Sequence, residues 1–153
     1  AGFILEKSYV MVGNFGFGAL FGQVLAGLAA VAGHNWSIFL GFHGGSGVAV
    51  FFGGWFALFP MVALFGGEVL ILGAASTLFV SLGSIAGVVG TYVILVPLTV
   101  FSGFPVEYLI YATIGGVMII YTHRGNIKRL LSGSERKLGQ KAENPQAEEG
   151  KAP

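Results

Sequence analysis

Five long apolar stretches, separated by short polar or glycine-rich interruptions, make up most of this chain. They fall at roughly 16–33, 48–62, 63–80, 83–101 and 104–121, each near the lower limit for a bilayer-spanning helix at about 1.5 Å rise per residue. Periodicity is weak inside them, because lipid-facing and bundle-facing positions are both apolar. The interruptions are sharper. Phe59-Pro60, Ser81-Leu82-Gly83-Ser84 and Ser102-Gly103-Phe104-Pro105 carry the turn residues that end helices. Runs this long exceed ordinary strands. The pattern predicts an all-α fold: a polytopic membrane helix bundle of about five spanning segments, followed by a short amphipathic helix near residue 124.

Composition agrees with the pattern: apolar residues make up 54% of the 153 and charged residues 10%. Between Ser8 and Thr122 the only charged side chains are Glu68 and Glu107, both read as lying near segment ends in reach of headgroup water. Seven of the eight Lys and Arg residues follow His123, so the net charge of +1 averages an uncharged body with a charged end and gives no reason to expect a nucleic-acid partner. Without cysteine there is no disulfide framework, thiolate nucleophile or thiolate metal site. Of the 26 glycines, Gly18 and Gly22, and Gly83 and Gly87, are four apart and share a helical face, the spacing that lets a neighbouring backbone approach.

Arg124, Lys128, Arg129, Arg136 and Lys137 crowd the end of the last apolar stretch and assign that end to the cytoplasm. Counting 48–62 and 63–80 as separate spans, as Pro60 favours, the loop at 34–47 opens on the same side as His123. Merging them would put the two on opposite sides.

Two polar blocks carry the candidate chemistry. The first runs Gly33-His-Asn-Trp-Ser-Ile-Phe-Leu-Gly-Phe-His-Gly-Gly-Ser46, with Gly47-Val-Ala after it. Gly44, Gly45, Ser46 and Gly47 precede an apolar helix, where successive backbone N–H groups and the helix terminus can hold an anion. A plain tight turn fits the same residues. His34 and Ser37 add polar groups beside a phosphate, and His43 reads as an interfacial side chain. In the second block, Thr122 to Leu131, His123 and Asn126 share a helix face, with Lys128 and Arg129 turned outward. A neutral imidazole can take a hydroxyl proton and an amide can orient a phosphate or carbonyl oxygen. A juxtamembrane helix held by anionic lipid is the plainer reading of that block.

Residues 33–49 together with His-Arg-x-Asn-Ile-x-Arg-Leu-Leu-x-Gly-x-Glu-Arg-Lys-Leu-Gly at 123–139, and Val-Ser-Leu-Gly-Ser-Ile at 80–85, resemble the bacterial acyl-phosphate:glycerol-3-phosphate acyltransferases, the PlsY family. The resemblance implies a multi-pass enzyme of the bacterial inner membrane, with its active face and carboxyl terminus cytoplasmic. It would move an acyl group from acyl phosphate to glycerol 3-phosphate, giving lysophosphatidate without acyl-CoA, and the expectation includes no cofactor and no metal. It assigns Gly44, Gly45 and Gly47 to glycerol-phosphate binding, His123 and Asn126 to catalysis, and Glu135 to structural support.

Two departures from the family pattern stand out. Where the family usually has Lys or Arg in the glycine turn, this chain has Ser46. A charge-assisted hydrogen bond to phosphate is worth about 1.5–3 kcal/mol, so another cation must substitute or binding weakens. The family's earlier Gly-Ser-Gly-Asn motif has no match in residues 1–15, where Ala1 to Leu5 reads as the stub of an interrupted apolar segment. The expectation is therefore an amino-terminally truncated membrane domain at 1–139, inactive by itself, with a disordered tail at 140–153. The rival readings are a non-catalytic anion-binding or transport protein, and a decayed acyltransferase paralogue.

Overall fold

The computed structural model describes residues 9–12 and 15–140. The expected stub at the amino terminus and the expected tail beyond Gln140 lie outside the described residues. Two short strands, β1 (Tyr9–Val12) and β2 (Phe15–Gly18), pair antiparallel with Tyr9 opposite Gly18 and Val12 opposite Phe15. The first apolar stretch therefore turns helical only after Gly18. Six helices follow: α1 (Ala19–Asn35), α2 (Val48–Leu58), α3 (Pro60–Thr77), α4 (Val80–Ser102), α5 (Val106–Thr122) and α6 (Arg124–Leu131). Helices α1, with the turn that continues it to Leu40, α3 and α4 are long and apolar enough to cross a membrane. Helix α2 has 11 residues, about 16 Å, little more than half of a hydrocarbon layer.

Pro60 explains the break between α2 and α3. It occupies the first turn of α3, where its missing N–H costs nothing, and it biases Phe59 to extended backbone (φ −155°, ψ 92°). The chain reverses there, and Phe52 on α2 comes against Gly66 on α3. Starting α3 at Pro60 also moves Glu68 from the expected segment end to the helix midpoint, where its exposed side chain shares an apolar groove with Phe56, Leu64 and Ile71. The reading of Glu68 as near-terminal is thus corrected, whereas Glu107 does lie in the first turn of α5.

Two kinds of packing hold the bundle. Between α2 and α5 the contact is aromatic: Phe51 stacks on Tyr111 with centroids 5.3 Å apart, and Trp55 meets Tyr111 edge-on at 4.9 Å. The Tyr111 hydroxyl donates to Phe51 O at 3.1 Å, so the buried phenol has a partner. Between α3 and α4 the contact is backbone on backbone. Gly83 lies against Leu70 O and Ala74, and Gly87 against Gly66 O, leaving no room for a side chain at either position. The Gly83/Gly87 face is therefore used as expected. Gly18 and Gly22 are not: no neighbour lies within 4 Å of a side chain built at either.

Helices α2 to α5 run alternately, which brings the α1–α2 loop, the α3–α4 turn and the α5–α6 junction to one end of the bundle. Thr122 Oγ1 reaches Ser46 O at 3.2 Å, and Leu138 N donates to Leu78 O at 2.7 Å. The separate counting of 48–62 and 63–80 required this meeting of the two polar blocks.

Candidate active site

Beneath the glycine loop sits the carboxyl end of α1. Gly45 N donates to His34 O at 3.3 Å, and a side chain at Gly44 would run into the His34 carbonyl and the Asn35 backbone. Gly47 caps α2 with φ 75°, a conformation costly for any residue with a Cβ, and the Asn35 side chain fills the space beside it. These two glycines are required by close approach and by backbone angle. The loop leading in carries Phe42, also left-handed at φ 63°, and His43, whose Nδ1–H donates to Gly41 O at 2.7 Å.

Helix α5 ends at His123 because its backbone (φ −85°, ψ 4°) turns the chain into α6. The imidazole is 5% exposed and its Nδ1 lies 2.9 Å from Ile119 O. A carbonyl oxygen can only accept, so Nδ1 carries the proton, and Nε2 of the neutral ring is left as the acceptor. Asn126, three residues into α6, donates from Nδ2 to Glu135 Oε1 at 2.8 Å. The same oxygen accepts from Ser81 Oγ of α4 at 2.8 Å, and Oε2 accepts from Arg129 Nε at 2.7 Å. Glu135 thus ties α4, α6 and the closing segment together from a side chain 8% exposed. Burial alone would raise its pKa. The hydrogen bonds from Asn126, Ser81 and Arg129, with the guanidinium charge, outweigh that and hold the carboxyl below its ordinary value. Arg129 therefore turns back onto Glu135, a correction to its reading as an outward-facing residue.

Two cavities open at this end and share Ser46. One, of about 420 Å³, is lined by Ser46, Ser81, Ser84, His123, Asn126 and Glu135, with Arg136 and Lys137 at its edge. The other, of about 370 Å³, is lined by Asn35, Trp36, Gly44, Gly45, Ser46 and Thr122, with Arg124. Thr122, which lines the second, shares its hydroxyl proton between Ile119 O at 2.8 Å and Ser46 O. Of the residues expected from sequence, His123, Asn126, Glu135, Gly44, Gly45 and Ser46 line the cavities. Gly47 is buried behind them, and His34 supports the loop with its ring against Gly45. Ser37 heads the turn at Ile38–Leu40, lines neither cavity, and instead lends its carbonyl to Leu40 N and Phe42 N. Sequence reasoning missed Asn35, Ser81 and Arg124. Each lies inside a quoted motif, but nothing in its spacing distinguishes it from its neighbours. Among the described residues no group of His and carboxylate side chains is arranged to hold a metal.

Residues 4–133 match the family model for glycerol-3-phosphate acyltransferase. A glycerol-3-phosphate acyltransferase 3 of Dehalococcoides mccartyi (strain CBDB1) is 61% identical over 93% of this chain and 66% of its own length. A glycerol-3-phosphate acyltransferase of Halalkalibacterium halodurans is 43% identical over 77% of this chain and 57% of its own. The chain thus spans just under two thirds, or less, of these relatives. Among solved structures, the glycerol 3-phosphate form of PlsY, an integral membrane glycerol 3-phosphate acyltransferase, superposes with a TM-score of 0.70 at 41% identity, over 76% of this chain and 56% of that one. Its lysophosphatidic acid form gives a TM-score of 0.67 at the same identity. With several apolar helices and an integral membrane neighbour, this is a multi-pass membrane protein, and the chain belongs to the glycerol-3-phosphate acyltransferase family.

Proposed function

We propose that this chain forms the acceptor-binding and catalytic end of an enzyme that transfers an acyl group from acyl phosphate to glycerol 3-phosphate. The observation that carries the reading is the convergence of a glycine loop with bare backbone and a constellation of buried His123 with half-buried Asn126 and Glu135 on adjoining cavities at one end of the bundle. Acyl phosphate is already activated, so the protein's task is to hold two anions and a developing oxyanion in line. Gly44 and Ser46 offer backbone N–H groups to phosphate oxygens, while Gly45, whose N–H is held by His34 O, and Gly47, His34 and Ser37 keep the loop's shape from behind. The acceptor hydroxyl oxygen bonds to the acyl carbon, the bond from that carbon to the phosphate oxygen breaks, and inorganic phosphate leaves. His123 Nε2 accepts the hydrogen bond of the attacking hydroxyl, and the proton passes to the departing phosphate. Asn126, held by Glu135, steadies the substrate oxygens. No covalent acyl-enzyme is needed.

Arg124, Lys128, Arg129, Arg136 and Lys137 assign this end to the cytoplasmic face of a bacterial inner membrane. The described residues up to 139 belong to one membrane-embedded unit. The test uses membranes carrying the chain, alone and joined to the upstream part of its Dehalococcoides relative, supplied with palmitoyl phosphate and labelled glycerol 3-phosphate. Lysophosphatidate formed by the joined protein and lost in its His123→Ala variant supports the reading, with the chain alone expected to be inactive. A joined protein that forms no product and binds no glycerol 3-phosphate overturns it.

A further inference from the structure

Folding moves the free positive charge at this end of the bundle from α6 to the segment that follows it. Arg129 is committed to Glu135, whereas Arg136 and Lys137 meet no carboxylate among the described residues, where that pair is the single salt bridge. A further cavity, of about 530 Å³, shares Glu135, Arg136 and Lys137 with the His123 cavity but is completed by Phe79, Gly133, Ser134 and Gln140. Neither His123 nor the glycine loop reaches it. Glu135 brings no uncompensated negative charge there, because Arg129 pairs with it while Asn126 and Ser81 donate to it. The walls are held by hydrogen bonds: Ser134 N to Arg129 O at 2.9 Å, Lys137 N to Gln140 Oε1 at 2.9 Å, and Leu138 N to Leu78 O at 2.7 Å. Lys137 Nζ stands 5.8 Å from the centroid of the Phe79 ring. Phe79 joins α3 to α4, two helices long and apolar enough to cross a membrane, so the cavity lies where those spans leave the bilayer. Leu78 and Val80 flank Phe79 in the chain, Leu138 follows Lys137, and all three are exposed. A soluble anion would answer the cations and leave these apolar side chains uncovered. A lipid answers both, with its phosphate on the cations and its chains on the apolar surface.

We infer that the cavity between the α3–α4 turn and residues 133–140 is a headgroup seat for an anionic phospholipid, separate from the acyl-transfer site. Arg136 and Lys137 take the lipid phosphate through charge-assisted hydrogen bonds, and Gln140 Nε2 is a neutral donor in the same lining. The acyl chains run along the start of α4, where Val80 and Leu82 are exposed. The bound lipid then holds the closing segment, and Glu135 with it, against the end of the bundle.

The test places the 153-residue chain in phosphatidylcholine nanodiscs carrying a minor fraction of phosphatidylglycerol, and counts the lipids it retains on release by native mass spectrometry. The parent is expected to retain phosphatidylglycerol in preference to phosphatidylcholine. Arg136→Gln and Lys137→Gln should each lower that enrichment about fivefold, and together about thirtyfold, the range for one and two cations at a membrane surface. Arg136→Lys combined with Lys137→Arg keeps the enrichment, which separates lost charge from lost folding. Lys128→Gln, exposed on α6 and outside the cavity, changes it by less than about twofold at physiological salt, where distant charges are screened. Inorganic phosphate in excess displaces no lipid. The inference is overturned if the parent shows no preference, if the double Gln variant retains as much phosphatidylglycerol as the parent, or if the charge-conserving pair loses it. It is equally overturned if Lys128→Gln loses as much as either single variant, which makes the attraction general to the surface, or if inorganic phosphate displaces the lipid, which makes the seat one for a soluble anion.

Discussion

The two halves of the site are built on opposite principles. In the closing block each principal polar side chain is answered from within: Asn126, Ser81 and Arg129 all end on Glu135, and His123 on Ile119 O. Around the glycine loop more is left open: Asn35 is unpaired at both ends, and Arg124, which reaches the loop's cavity from the other block, meets a backbone carbonyl and no carboxylate among the described residues. A satisfied network is rigid and fixes geometry. An unsatisfied one stores the cost that a ligand relieves. The closing block is thus a frame, and the loop is the part its own side chains leave open.

That contrast breaks first at Glu135. Glu135→Ala strands Asn126 and Ser81 without their acceptor and frees the closing segment from α4, and a loss of about 3 kcal/mol in stability is expected, read as the unfolding midpoint in nanodiscs. Should the midpoint stay at the parental value, the block is no frame. Next comes Gly44→Ala, whose added methyl meets backbone at His34 and Asn35 rather than a movable side chain. It should cost at least tenfold in glycerol 3-phosphate affinity while leaving the Glu135 network, monitored by amide exchange in α6, undisturbed.

Acid sharpens the comparison. The folded-state pKa of Glu135 is depressed, so its stabilisation is fully present above the ordinary carboxylate value and is lost as pH falls through the lower folded value. Amide protection of α6 should decline over that acid window in the parent by up to about 1.4 kcal/mol per pH unit and stay flat in Glu135→Gln. The smallest effect is assigned to Ser37. Ser37→Ala should change glycerol 3-phosphate affinity by less than about twofold, since its carbonyl rather than its hydroxyl holds the turn. A tenfold loss measured by titration would place that hydroxyl in the site.

Much of the bundle was readable from apolar run lengths, because a membrane helix must satisfy its own backbone and announces itself by length alone. Pro60 marked the α2–α3 reversal for a local reason, the fixed ring and missing N–H. Its consequence for Glu68 was less visible, since moving the helix start changes depth without changing composition. The face of Gly83 and Gly87 was readable from spacing, but spacing alone also favoured Gly18 and Gly22, and only neighbours distinguish the two pairs. In the site, the glycines and His123 carried their own signal. Ser81 did not, because its importance lies in its bond to Glu135, 54 positions away along the chain.

The sequence by itself determined that the chain is a helical membrane protein, that its polar chemistry lies in two blocks, and that the glycine loop holds no cation of its own. Those properties depend on hydropathy, residue type and count. Only the tertiary structure decided that Glu135 gathers Ser81, Asn126 and Arg129, that Nε2 of His123 is the free nitrogen, and that Arg124 and the glycine loop line one cavity. Hydrogen bonds and charge contacts act over a few ångströms in space, and helix packing chooses which distant residues come that close.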